Sequence, residues 1–227
     1  MKQIALDIGL SAGPTVNNFF AGPNEAALKH LRLWLGDKSQ AATRSPVPIY
    51  LWGPEGSGKS HLLQAVREGL REQGAQVGWL GATDVPAAFD ERWAAVLLDD
   101  VHLFTAEQQH VAFNWFVNAQ THHKPVLAAG LWAPADLKLR DDLRTRLGWG
   151  HIFSLQLLCE AERRGVLRKA ADARGVFLSD EVMDFMLKRF SRDLGSLMEL
   201  LDLLDGYSLQ TQRAITIPLI KSMLENT

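Results

Sequence analysis

Gly53-Pro54-Glu55-Gly56-Ser57-Gly58-Lys59-Ser60, preceded by the apolar run Ile49-Tyr50-Leu51-Trp52, is the stretch whose reading decides the fold. It satisfies G-x-x-x-x-G-K-[ST] at every required position, at the point where a strand should give way to a helix. Glycines let the backbone wrap an anion with successive N–H groups pointing inward. The helix opening near Lys59 and running through His61-Leu62-Leu63-Gln64-Ala65-Val66 adds unpaired N–H groups and the positive end of its dipole. Lys59 can reach terminal phosphates, and the Ser60 hydroxyl can ligate Mg²⁺. The alternative is a Gly-rich turn that carries a lysine by chance, against which stand the strand before it and the amphipathic helix after it. The candidate phosphate contacts are Gly53, Pro54, Glu55, Gly56, Ser57, Gly58, Lys59, Ser60 and His61, and the ligand class is a nucleoside di- or triphosphate.

Outward from this loop, strand and helix patterns alternate. A helix is expected from Asn24, a plausible N-cap, through Leu35, and the first strand's helix should end near Gln73, where Gly74 breaks the chain. Residues 76–80 read as a second strand and 84–93 as a short helix and loop. The continuous apolar run 94–98 has the pattern of a parallel strand buried on both faces, and 125–131 reads likewise. Between them, 106–121 is helical with an aromatic face of Phe113, Trp115 and Phe116. The fold class is α/β, a parallel sheet covered by helices. After Phe153 the pattern changes to helices at 160–174, 179–190, 193–208 and 218–225, a small all-helical lid. The expected division is an extended tail 1–15, a nucleotide-binding core 16–153 and a lid 154–227.

Composition narrows the class. Of 227 residues, 47% are hydrophobic and 22% charged, ordinary for a globular chain, and the net charge of −2 gives no sign of a dedicated nucleic-acid binder. The one cysteine, Cys159, rules out an internal disulfide and is expected to pack as a small apolar residue. No signal peptide and no run of about 20 apolar residues occurs, so the expected location is the cytoplasm, with no membrane partner.

Asp99-Asp100 directly follows the buried strand 94–98, and ligands of open parallel sheets collect at the carboxyl ends of strands. Asp99 is assigned to the metal and Asp100 to the attacking water, against the plainer reading of a structural turn. Further on, Leu143-Arg144-Thr145-Arg146-Leu147-Gly148-Trp149-Gly150 would join core to lid. Its chemistry fits two readings equally: a solvated helix end with Gly148 as the C′ residue, or an arginine placed to meet the γ-phosphate of a neighbouring subunit.

Taken together, the phosphate loop, Leu97-Leu98-Asp99-Asp100-Val101, Arg144-Thr145-Arg146-Leu147-Gly148-Trp149-Gly150 and Asn18-Phe19-Phe20-Ala21-Gly22-Pro23-Asn24 resemble the nucleotide-binding module of the DnaA-like AAA+ ATPases, over residues 16–227. The resemblance implies an AAA+ P-loop core with a helical lid, ADP or ATP as ligand with Mg²⁺, and an adenine pocket near Asn18, Phe19, Phe20 and Asn24. It also implies that Arg146 is an arginine finger acting in trans. The initiator itself continues into a DNA-reading helix-turn-helix domain, and the expectation for residues 1–227 is a core and lid without one. A bare core and lid is similar to the family's regulators, which inactivate the initiator. Gln3-Ile4-Ala5-Leu6-Asp7-Ile8 resembles a sliding-clamp-binding hexapeptide, with Gln3, Ile4, Leu6 and Ile8 as its anchors; as an isolated match it reads more readily as a simple edge strand, and its place ahead of an initiator-like module favours the clamp reading. The implied partners are the DnaA initiator, the β-subunit sliding clamp and a second copy of the chain, without sequence-specific DNA binding and with nucleoid association through the clamp.

Two departures from the family pattern bear on activity. The sensor 1 strand, Val126-Leu127-Ala128-Ala129-Gly130-Leu131-Trp132, ends without a charge or hydroxyl. Gly195 stands at the sensor 2 position, with Arg192 one turn away as a substitute. Loss of one donor to a developing charge costs about 3–4 kcal/mol of barrier. The expectation is therefore nucleotide binding, ADP included, with weak intrinsic hydrolysis and stimulation of a partner's ATPase. The rival readings are a self-contained ATPase or helicase loader on single-stranded DNA, which needs a basic channel, and a nucleoside kinase.

Overall fold

The computed structural model describes residues 13–36, 44–189, 194–211 and 215–225. Gln3, Ile4, Leu6, Ile8 and Arg192 lie outside the described residues. The described residues form two compact units, one within Ser11–Leu157 and the other within Leu158–Thr227.

In the first unit, β1 (Ile49–Trp52), β2 (Gln76–Leu80), β3 (Trp93–Leu98), β4 (Val126–Gly130) and β5 (His151–Ser154) form one sheet in the order β2-β3-β4-β1-β5. Every neighbouring pair is parallel, with Leu51 opposite Ala129 on one side and Phe153 on the other. Crossovers are made by α2 (Lys59–Glu72), α3 (Ala106–Thr121) and α4 (Asp141–Leu147), and α1 (Glu25–Leu35) precedes the sheet. Because strand side chains alternate, Ile49, Leu51, Leu97 and Leu127 pack on the layer of α1 and α2. Tyr50, Val96, Leu98 and Ala128 pack on the layer of α3 and α4. Burial on both faces is why the central strands read as continuous apolar runs. Leu51, Leu97, Leu98 and Leu127 are each 0% exposed, and each such burial stabilises by about 1.5–3 kcal/mol. The central strands, rather than the exposed edge β5, therefore carry the sheet.

Four local expectations need correction. The segment 84–93 contains no helix: it is irregular up to Trp93, the first residue of β3. The chain here is tied to α3 instead: Gln108 Nε2 donates to Ala82 O, just before the segment, and to Asp84 O, both at 3.0 Å, and Trp115 Nε1 donates to Ala87 O at 2.9 Å. Asn24 occupies the N-cap position of α1 but makes no side-chain cap bond. Arg144–Gly150 does not run directly into the helical part, because β5 intervenes. Gly148 follows α4 with a right-handed backbone (φ −86°), so no left-handed C′ residue ends that helix. Gly150, by contrast, is required: a Cβ there would stand 1.8 Å from Pro48 O, and only glycine lets β5 dock beside β1.

The second unit consists of α5 (Glu160–Ala173), α6 (Asp180–Arg189), α7 (Leu194–Thr211) and α8 (Ile217–Glu225) around Leu167, Met183, Met186, Leu197, Leu201 and Ile220. Cys159 is exposed rather than packed. It sits at the N-cap of α5, its N–H donating to Glu162 Oε2 at 2.7 Å, because a helix start leaves N–H groups that need acceptors.

Candidate nucleotide site

The site is built where β1 ends. Gly53, Gly56 and Gly58 all have positive φ, and at Gly58 (φ +92°) a Cβ would come within 2.6 Å of the Phe19 ring. Phe19 therefore lies over the turn into α2, and its ring is 5.6 Å from that of His61. His61 Nε2 is 3.0 Å from Asn18 Oδ1. Asn18 in turn accepts from Thr15 N at 2.9 Å and donates to Gly13 O at 3.0 Å. The structure thus brings Asn18, Phe19 and His61 together with the loop, while Phe20 is exposed. Asn24 is engaged elsewhere: its side chain donates to Gln156 O at 3.0 Å and accepts from Gln156 N at 2.8 Å, tying the start of α1 to the chain beyond β5.

Within the loop, Pro54, Glu55 and Gly56 are exposed, and Ser57 and Lys59 are buried. Lys59 Nζ donates to the carbonyls of Gly53 and Pro54, both at 2.9 Å. Burial lowers the Lys59 pKa, and the charges of Asp100, Asp99 and Glu55 oppose that shift. The Ser57 hydroxyl is buried with no hydrogen-bond partner among the described residues. A buried ammonium and an orphaned hydroxyl inside a loop of positive-φ glycines fit the oxygens of a phosphate chain.

Ser60 Oγ donates to Asp99 Oδ1 at 3.1 Å, and Asp99 Oδ1 also accepts from Asp100 N at 3.0 Å. Burial raises the Asp99 pKa to about 6, and the Ser60 hydrogen bond works against the rise. A hydroxyl beside a carboxylate at this position fits Mg²⁺, which keeps several waters and takes much of its coordination from phosphate. Among the described residues no group of three or more His, Cys, Asp or Glu side chains suited to a metal occurs. Asp100, directly after Asp99, adopts a left-handed backbone (φ 51°).

His102 is a residue that sequence reasoning missed. Leu131 N donates to its Nδ1 at 3.3 Å, and Asp100 Oδ1 lies 4.0 Å away. Burial lowers the His102 pKa. The ring thus stands beside the end of β4, where the strand itself offers no polar side chain. Gly130 there has no room for one: a Cβ would stand 2.4 Å from the Tyr50 hydroxyl, which donates to Trp132 O at 2.8 Å. Only the position of His102 one turn beyond Asp99-Asp100 hinted at it.

Arg146 lies apart from this cluster, on α4 against α3. Among the described residues no hydrogen bond or ion pair joins it to the phosphate loop. Its Nη1 donates to Gln120 Oε1 at 2.6 Å.

The chain is 34% identical over 234 residues to an uncharacterised Haemophilus influenzae protein, with 98% of each chain covered. Residues 160–224 match the family described as Hda, lid domain. The fold is similar to domain III of the replication initiation protein DnaA from Thermotoga maritima, with a TM-score of 0.74 and 20% identity over 93% of this chain and 95% of that one. It is also similar to AMPPCP-bound DnaA from Aquifex aeolicus, with a TM-score of 0.70 and 21% identity over 96% of this chain and 71% of that one. No helix among the described residues is long and apolar enough to cross a membrane.

Proposed function

Because the chain belongs to the Hda-like, DnaA-related AAA+ proteins, we propose that it is a nucleotide-bound regulator that switches off the replication initiator. The observation that carries this reading is the phosphate loop with its buried Lys59, its orphaned Ser57 hydroxyl and the Ser60–Asp99 pair. ADP is the resident ligand, held by residues 53–61 with Asn18 and Phe19 beside them; Mg²⁺, when bound, screens phosphate charge next to Ser60 and Asp99.

The chain's own turnover is weak. The end of β4 offers no polar side chain, and His102 reaches the Leu131 N–H as an acceptor. The chain's role is to present Arg146 to ATP held by the DnaA initiator, where a trans-acting arginine can be worth about 10³–10⁵ in rate. Gln3, Ile4, Leu6 and Ile8 anchor the protein on the DNA-loaded sliding clamp, in a cytoplasmic, nucleoid-associated setting. Asp100 orients water in the chain's own site, and Arg192 supplies the sensor 2 charge that Gly195 lacks.

The deciding experiment measures hydrolysis of initiator-bound ATP with the DNA-loaded clamp present. Wild type stimulates it, and Arg146→Ala binds nucleotide normally yet fails to stimulate. Replacing Gln3 and Leu6 by alanine abolishes both clamp pull-down and stimulation. Fast intrinsic hydrolysis stimulated by single-stranded DNA, with no effect on the initiator, would establish the rival helicase-loader reading instead.

A further inference from the structure

Three arginines crowd α4 and its approach, and their charges are treated differently. Arg140 pairs with Asp142 at 2.7 Å, and Arg144 pairs with Asp141 at 2.8 Å. Both carboxylates border the same open cavity of about 330 Å³ that Arg146 borders, yet neither pairs with Arg146. Arg146 has no ion pair among the described residues. Its guanidinium carbon instead lies 4.8 Å from the Trp149 ring centroid, 5.1 Å from that of Phe113 and 5.9 Å from that of Phe116. The one side-chain hydrogen bond Arg146 makes among the described residues is the 2.6 Å bond to the neutral amide oxygen of Gln120. Phe113, Phe116 and Gln120 fall three and four residues apart on α3, so one helix face presents the rings and the amide together.

We infer that Gln120 is a positioning residue for Arg146: it fixes the guanidinium with a neutral acceptor while leaving the full positive charge available to an anion from outside the chain. This rests on the reading of Arg146 as the group that acts on a partner's nucleotide. The physical case has two parts. An arginine carries many rotamers, and a side chain already ordered loses less freedom when its partner arrives. Aromatic faces hold the plane of the cation, and a single in-plane acceptor sets its rotation without consuming its other donors. A carboxylate at position 120 would grip as well or better, but it would cancel the charge that a phosphoryl-transfer transition state needs. The pairing of Asp141 and Asp142 with the other two arginines serves the same end.

The test uses the full-length chain, the DNA-loaded clamp and initiator preloaded with ATP, in single-turnover hydrolysis titrated to saturation. Gln120→Ala and Gln120→Asn should lower the maximal stimulated rate about tenfold while the half-saturating concentration stays at its wild-type value, as expected for lost orientation rather than lost docking. Gln120→Glu, which keeps an acceptor, should lower the maximal rate at least as far. Thermal melting of each variant is read alongside, and the two removal variants guard against a folding defect in either. A wild-type maximal rate in Gln120→Ala and Gln120→Asn, or in Gln120→Glu, overturns the inference, as does a rate above wild type. The Arg146→Ala arm separates the two levels. If that variant still stimulates, the parent reading fails; if it is inert while the Gln120 variants behave as wild type, only the role of Gln120 fails.

Discussion

The Ser60 hydroxyl donates to Asp99 Oδ1 across 3.1 Å, joining the first turn of α2 to the end of β3. These residues come from two strand–helix units of the sheet, and their meeting brings the glycine-rich loop and the carboxylate pair together. Asp99 is 6% exposed, so its charge depends on what the loop supplies.

Asp99 should therefore trade stability for binding. Its pKa is raised from 3.8 to about 6, chiefly by burial, so the folded state holds the proton more tightly than the unfolded chain. Its contribution is fully present at low pH and is lost as pH rises through that interval. Asp99→Asn should raise the stability of the nucleotide-free protein at neutral pH by on the order of 1–3 kcal/mol. The same variant should lose Mg²⁺-dependent nucleotide affinity. Melting curves with and without nucleotide check both halves, and a variant less stable than wild type without nucleotide would contradict the first.

On the proposed function, Lys59→Ala should weaken nucleotide binding by about 100-fold or more, since it removes the buried cation of the glycine-rich loop. Its effect on stability should stay near 1 kcal/mol, because a buried ammonium is removed along with its bonds to Gly53 and Pro54 carbonyls. Calorimetric titration with ADP is the measurement, and wild-type affinity in this variant removes the loop from the binding site.

Gly148 and Gly150 should respond very differently to alanine. At Gly150 the new Cβ meets Pro48 O at 1.8 Å and Pro48 C at 2.7 Å, both backbone atoms with no rotamer to yield. The expected loss is on the order of 3 kcal/mol or more, with β5 displaced from β1. At Gly148 the nearest atom is Thr145 O at 3.4 Å and the backbone is right-handed, so Gly148→Ala should cost at most about 1 kcal/mol. Urea unfolding of the pair decides it; equal losses would show that the close approach to Pro48 is not the cause.

Acid sensitivity should centre partly on His30. Its ring packs 4.4 Å from that of His151 and 5.1 Å from that of Phe153, and its Nε2 is buried without a partner among the described residues. Burial, and then repulsion by His151, lowers its pKa below 6.5. The unfolded chain thus takes up the proton more readily, and stability that is full above pH 6.5 falls as pH drops through the lowered value. His30→Phe should flatten the melting profile between about pH 7 and 5, a change that an unaltered slope would exclude.

Much of the core was legible because its signals are local. The runs 49–52 and 76–80 and the helix 106–121 are bounded in the structure as their patterns imply. β5 was not, since an edge strand with three of its four residues exposed carries no apolar alternation. The irregular path of 84–92 was also hidden, because the side chains that hold its Asp84 and Ala87 carbonyls, Gln108 and Trp115, come from a later helix.

By itself, the sequence determined the glycine-rich loop between β1 and α2, the parallel α/β core, the helices of the second unit and the acidic pair after β3, all readable from neighbours a few positions apart. Tertiary structure alone decided that Asn24 clamps Gln156, that His102 stands at the end of β4, that Gly150 lies against Pro48 and that Arg146 rests on Gln120 among aromatic rings. Each of those joins residues from 26 to 132 positions apart. Such contacts exist only once burial of the sheet's two faces has brought distant elements together, and no periodicity along the chain encodes which polar atoms then meet.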